Sequence, residues 1–186
     1  MQPPSKKWAL TDPFFAFWFR FVFRFADDLE SGLSATDLFD AEVRPVLNDH
    51  TAPTFEAWCR RWTRSNLGSI APSVGRWWGR ALDPLRKTHA RESEEIDIVG
   101  IGRSRVTVVG EAKWRNKEMA ADALTDLDRY KLPALQQDGY RLATQLRVLL
   151  FSRAGYSDKL VNLAASDDRV TLVDVPFELA RRPEST

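Results

Sequence analysis

Between Glu94 and Lys117 (EEIDIVGIGRSRVTVVGEAKWRNK) two short apolar runs flank six turn-forming residues, Gly100 to Arg105, and the pattern predicts a β-hairpin. Side chains alternate faces along a strand, so Glu111 and Lys113 point the same way, while Ile96 and Ile98 lie opposite Asp97. A register that sets Asp97 beside Glu111 brings three ionisable groups to one patch of sheet. A strand pair this apolar belongs in a core, where unpaired charge is costly.

Downstream, Met119, Ala120, Ala123, Leu124, Leu127, Tyr130 and Lys131 trace one side of an amphipathic helix, ending near Pro133 or resuming before Gly139. LRVLLFS (146–152) is a continuous apolar run, as in a strand buried on both faces. A helix over 156–166 and a last strand over 169–175 follow. Upstream, RWWGRAL (76–82) reads as a strand. Thr54 reads as the cap of a helix with Phe55, Trp58, Cys59 and Trp62 on one face, closed by Gly68. Residues 50–53 read as a linker, and Ser34 caps a helix over 34–49 that bends or ends near Pro45. From residue 54 the order is α-β-β-β-α-β-α-β. Antiparallel strands come first and βαβ crossovers follow, so the fold class is α/β with a mixed sheet flanked by helices.

The first 50 residues have another character. A short strand is expected at Trp8 and Leu10, and Asp12-Pro13 opens a helix as N-cap and first helical residue. The helix, FFAFWFRFVFRFADDLESG, carries seven of the chain's eleven phenylalanines and stops at Gly32. Its simplest role is core against the next two helices. Its second is a docking surface at 14–25 for a partner or another copy of the chain.

Composition narrows the setting. With 44% hydrophobic and 28% charged residues the chain reads as one ordinary globular domain with a small appendage. The net charge of +1 gives no global pull towards nucleic acid, so any such attraction must be local. The single cysteine, Cys59, excludes an internal disulfide, and with only two histidines the common zinc sites cannot be assembled. Arg20 and Arg24 interrupt the longest apolar run, leaving neither a membrane span nor a signal-peptide layout. The expected location is the cytoplasm.

Two carboxylates held together repel and favour a divalent cation with oxygen ligands, Mg²⁺ or Mn²⁺. Phosphodiester hydrolysis needs such an ion to polarise the phosphate and acidify a water, and a cation to offset developing charge. Asp97 and Glu111 can supply the carboxylates, Ala112 a backbone oxygen, and Lys113 the cation. The bland alternative is a cross-strand ion pair on a surface hairpin, worth under about 1 kcal/mol. Trp77, Trp78 and Trp114 beside Arg76, Arg80, Arg115 and Lys117 could grip a nucleic-acid backbone and stack bases. More simply, the tryptophans pack and the arginines cover them. From spacing alone, Glu56 is the i,i+4 surface partner of Arg60.

The D-x13-E-x-K spacing resembles the PD-(D/E)XK nuclease superfamily. In order, DPFFAFWFRFV, FEAWCRRW, GRWW, EEIDIVG and VVGEAKW are similar to the C-terminal region of archaeal-type ATP-binding proteins, catalogued as domain of unknown function 234. The likeness runs roughly from Trp8 to Val175 and implies a restriction-endonuclease-like fold that follows an AAA-type ATPase domain and a winged helix. KKWALTDP then resembles the last wing strand, residues 1–50 a helical N-terminal segment, 51–180 the nuclease-like domain, and 181–186 a disordered tail. By the same resemblance Asp97, Glu111 and Lys113 are the core catalytic residues and Glu56 an outer-shell or second-metal carboxylate. DNA is the implied substrate, and an AAA-type ATPase the implied partner. Ile96 stands where the superfamily has proline. Gln136 and Tyr140 have the spacing of a helical Q-x-x-x-Y found in some related nucleases, with Gly139 inside it. No G-x-x-x-x-G-K-[ST] loop occurs, so ATP hydrolysis is not expected of these residues. The sequence thus points to a metal-dependent DNA nuclease-like domain, or to an idle nuclease fold that binds DNA or docks an ATPase.

Overall fold

The hairpin forms, and it is the centre of a five-stranded sheet. The computed structural model describes residues 12–82 and 93–175. The strand expected at Trp8 and Leu10, the basic sequence around Arg86, Lys87, His89 and Arg91, and the last residues from 176 lie outside them. The strands are β1 (Ser73–Arg80), β2 (Ser93–Gly102), β3 (Arg105–Lys113), β4 (Leu142–Ser152) and β5 (Val170–Val173), in spatial order 1-2-3-4-5. β1, β2 and β3 are antiparallel, while β3, β4 and β5 run parallel. The expected α/β fold with a mixed sheet flanked by helices is what the chain adopts.

The turn between β2 and β3 is tighter than expected. Gly102 pairs with Arg105, so only Arg103 and Ser104 connect the strands, at φ 50° and 60°. A two-residue hairpin turn of type I′ has positive φ at both positions, and Asn-Gly is its usual signal. Here two residues without that signal adopt it, so six turn-like residues concealed a two-residue turn.

The chain divides into two compact units, Met1–Thr54 and Phe55–Thr186. In the second, helical segments cover both faces of the sheet. One face packs Ile96, Val99, Val109, Val148 and Leu150 against Leu124, Leu127, Leu132 and Leu135. The other packs Ile98, Val108, Leu149 and Phe151 against Phe55 and Cys59. Between Val109 and Glu111, a Cβ on Gly110 would lie 2.5 Å from the Leu149 carbonyl oxygen, so β4 can approach β3 this closely only beside glycine.

Prolines shape the helices in a way that periodicity does not reveal. Helix α1, residues 13–30, starts as expected: Asp12 accepts the Phe14 and Phe15 N–H groups, and Pro13 fills the first turn. Its middle, Trp18–Val22, is a π turn. The helix expected to bend or end near Pro45 does not end there, and the expected linker at 50–53 and cap at Thr54 lie inside the same helical run. α2 (35–46) includes a π turn at Phe39–Val43, and α3 (Leu47–Leu67) carries Pro53 inside it. The Thr51 hydroxyl donates to the Leu47 carbonyl at 2.8 Å near that proline. α4 (122–137) repeats the device, with a π turn at Leu127–Lys131 and then Pro133. Proline lacks the N–H of the α ladder and crowds the carbonyl four residues back, and in both places a widened turn precedes it by two residues. α5 (Asp158–Ser166) joins β4 to β5.

In the N-terminal unit the expectation that the aromatic stretch is core fails for most of it. Phe21 is buried, and Phe17 and Phe21 meet the His50 ring at 5.9 and 5.0 Å. Phe14, Phe15, Trp18, Phe19 and Phe23 are exposed along α1, with Phe14 stacked on Trp18, Phe15 on Phe19, and Phe19 edge-on to Phe23. Among the described residues no helix is long and apolar enough to cross a membrane.

Candidate functional site

A β-bulge re-aims the site. Gly75 pairs with Val99 but Trp77 pairs with Ile96, so two residues of β2, Asp97 and Ile98, oppose the single Arg76 of β1. The inserted residue reverses the alternation. Ile96 lies in one core cluster and Ile98 in the other, which corrects the expectation that both share a face. The bulged Asp97 carbonyl accepts the Arg60 Nη1 hydrogen at 3.0 Å.

Beyond the Ile98–Gly110 pair, the Asp97 side chain replaces the ladder, and its Oδ2 accepts the Ala112 N–H at 2.9 Å. In an extended strand a residue's carbonyl points to the same side as its own N–H, so the Ala112 oxygen also faces Asp97's side of β3. Glu111 and Lys113 project together from β3. The Lys113 ammonium lies 3.1 Å from Glu111 Oε2 and 3.8 Å from Asp97 Oδ2, so both carboxylates touch one cation. The expected convergence of Asp97, Glu111 and Lys113 is present.

Lys131 completes the cluster, although its sequence pattern placed it only on the helix stripe. Its ammonium donates to Glu111 Oε1 at 2.7 Å, with both side chains buried. It is the last residue of the π turn in α4. A lysine on the otherwise apolar side of an amphipathic helix was the available signal. The pairing needed the parallel β3–β4 crossover, which packs α4 against the sheet.

The electrostatics follow from burial. Desolvation pushes the Glu111 carboxyl above its ordinary range, against the pull of Lys113 and Lys131. Desolvation also disfavours charge on Lys113, but Glu111 and Asp97 outweigh it and hold the ammonium charged. Glu56 on α3 pairs with Arg60 at 3.8 Å, as spacing suggests, yet it is half-buried and its carboxyl is raised by desolvation and by the field of Asp97. It therefore belongs to the same electrostatic cluster. Burial likewise raises the Cys59 thiol, which makes it an inert core residue.

Glu111, Lys113 and Lys131 line one wall of an open cleft of about 310 Å³. Arg115 and Lys117 stand on its rim, and Glu118, Asp122 and Asp126 balance their charge. The other expected nucleic-acid contacts are scattered. Trp114 packs on Phe55 at 5.2 Å under the Arg153 guanidinium, and Trp77 is buried with its indole N–H donated to Asp138 at 3.0 Å. Those two tryptophans are packing residues. Arg76, Trp78 and Arg80 are exposed on β1. Gln136 and Tyr140 are exposed, and Gly139 at φ 90° ends the helical run between them, so that pair takes no part in the cluster.

The donors on offer are all oxygens: two carboxylates and a strand carbonyl. Such a set suits a hard divalent cation. Among the described residues no three His, Cys, Asp or Glu side chains form a ready cage. Mg²⁺ does not require one, since it is commonly held by one or two carboxylates with waters and substrate phosphates. The residues fit such an ion provided that an ammonium gives way. Lys113, with 31% of its side chain exposed, is the one free to move.

Residues 18–124, more than half of the chain, match the model of DUF234, described as "Archaea bacterial proteins of unknown function". No curated protein and no solved structure matches the chain.

Proposed function

The chain belongs to the DUF234 family, and we propose that its C-terminal unit is a metal-dependent phosphodiesterase of the PD-(D/E)XK type, with DNA as its substrate. The observation that carries this reading is the convergence of Asp97 and Glu111 on the Lys113 ammonium, with Glu111 and Lys113 in the wall of an open cleft that Arg115 and Lys117 also line while Asp97 lies buried behind them. Asp97 and Glu111 would hold the ion, with the Ala112 carbonyl beside them. Mg²⁺ or Mn²⁺, when bound, supplies phosphate polarisation and a more acidic water. Lys113 would turn from its carboxylate partners to the scissile phosphate and offset the charge that develops there. Lys131 keeps Glu111 ionised and aimed, a positioning role exercised through the carboxylate. Glu56 would act from outside through the field it shares with Asp97.

One observation favours a second reading. Both Glu111 oxygens already meet ammonium groups, as in a self-neutralised structural cluster. The exposed aromatic row of α1 would then be the functional surface, docking an AAA-type ATPase in an idle nuclease fold. Incubation with plasmid and single-stranded DNA decides between them. Cleavage that needs Mg²⁺ or Mn²⁺, stops with chelator and disappears in folded Asp97→Ala is the expected result. Intact DNA under every condition tried would move the assignment to the docking module.

A further inference from the structure

The cleft at Glu111 is balanced in charge, so the grip on a polyanion has to come from elsewhere. A second groove, of about 410 Å³, lies between α3 and β1, and four arginines line it: Arg60, Arg61, Arg64 and Arg76, with no carboxylate in its wall. Two of them have partial partners, since Arg60 lies 3.8 Å from Glu56 and Arg76 lies 3.8 Å from Glu95. Arg64 donates to the Val74 carbonyl at 3.1 Å, which fixes it over β1. Arg61 is exposed and makes no hydrogen bond or ion pair among the described residues. Arg60 and Arg64 are one turn apart, about 6 Å along the helix axis at 1.5 Å per residue. Guanidinium groups strung out in this way suit successive phosphates of a chain better than one small anion.

Two details give the groove a direction and a strand preference. Arg60 also donates to the carbonyl of Asp97, so one end of the groove abuts the backbone of the bulged residue. At the β1 side the Arg76 guanidinium lies 5.1 Å from the ring centre of Trp78, which is 62% exposed. A basic track ending in an exposed, arginine-backed indole is the arrangement that binds single strands, with phosphates on the arginines and a base on the ring. We propose that this groove holds single-stranded DNA, with Arg60, Arg61, Arg64 and Arg76 on the backbone and Trp78 stacked on one base. The inference rests on the phosphodiesterase reading for the class of ligand.

Its test is fluorescence anisotropy of a labelled oligothymidine, in chelator so that nothing is cut, over a range of salt. Arg61→Gln with Arg64→Gln should weaken binding about tenfold or more and lower the salt slope by about 1.4, roughly 0.7 for each guanidinium withdrawn from a single-strand phosphate. Trp78→Ala should weaken it about 5- to 150-fold with the slope unchanged, because stacking releases no counterions. Should the double change loosen β1, Arg61→Glu alone tests the same point, since Arg61 makes no hydrogen bond or ion pair among the described residues. Unchanged affinity in these variants, equal affinity for duplex, or no binding by the wild type overturns the groove. Failure of the site reads differently: binding that depends on the arginines and Trp78, with no metal-dependent cleavage, keeps the groove and removes the phosphodiesterase.

Discussion

Lys131→Met is expected to lower the stability of the folded chain by about 3–5 kcal/mol, the usual cost of removing one partner from a buried ion pair. Glu111 would remain 2% exposed with Lys113 as its one ammonium. The size of the loss comes from the stranded charge, not from missing attraction. Glu111→Gln combined with Lys131→Met should therefore recover much of it, because the charges leave together. Denaturant unfolding of the two single variants and the double variant provides the cycle.

The same deficit carries a pH signature. Burial raises the Glu111 carboxyl above its ordinary value of 4.5 in the folded state. The folded chain thus binds this proton more readily than the unfolded chain, and the group's contribution to stability falls as pH climbs from the unfolded value to the folded one. Without Lys131 the folded value moves higher still and the window widens upwards. The gap between wild type and Lys131→Met should accordingly be largest near neutrality and shrink on acidification towards pH 4.5. A gap that ignores pH would mean that Glu111 is not the group left in trouble.

Lys113→Met is the second large effect, and it falls on catalysis. Removing a cation aimed at developing charge costs about 10²–10³-fold in rate. With 31% of its side chain exposed against 10% for Lys131, Lys113 is the less important of the two for folding. Cleavage should collapse while the unfolding midpoint moves little. The reverse pattern, a full rate in a weakened fold, would make Lys113 a structural cation.

Much of this was legible in the residues. Period-2 alternation around Asp97 and Glu111 gave the hairpin and the convergence, and the change from hairpin to βαβ spacing gave a mixed sheet. What escaped has physical causes. The bulge at Asp97 is a mismatch in count between two strands and leaves no mark in either alone. Arg103 and Ser104 adopt a turn that their identities do not advertise. Pro45 read as a bend or an end, Pro53 as part of a linker and Pro133 as an end or an interruption, yet π turns precede the first and last and a helix runs through Pro53. Lys131 was visible as a charge on an apolar stripe, but its partner lies on a strand twenty residues earlier in the chain. From spacing Arg60 was only the surface partner of Glu56, and β1 beside α3 makes Arg60, Arg61 and Arg64 the wall of a groove.

The central claim is that Asp97 and Glu111 share one divalent ion. Calorimetric titration with Mn²⁺ tests it without substrate. Wild type should bind one ion, and Asp97→Asn and Glu111→Gln should each abolish that binding while the fold persists. No binding by wild type, or equal binding by all three, would contradict the account and leave Glu111 as the centre of a structural cluster of lysines.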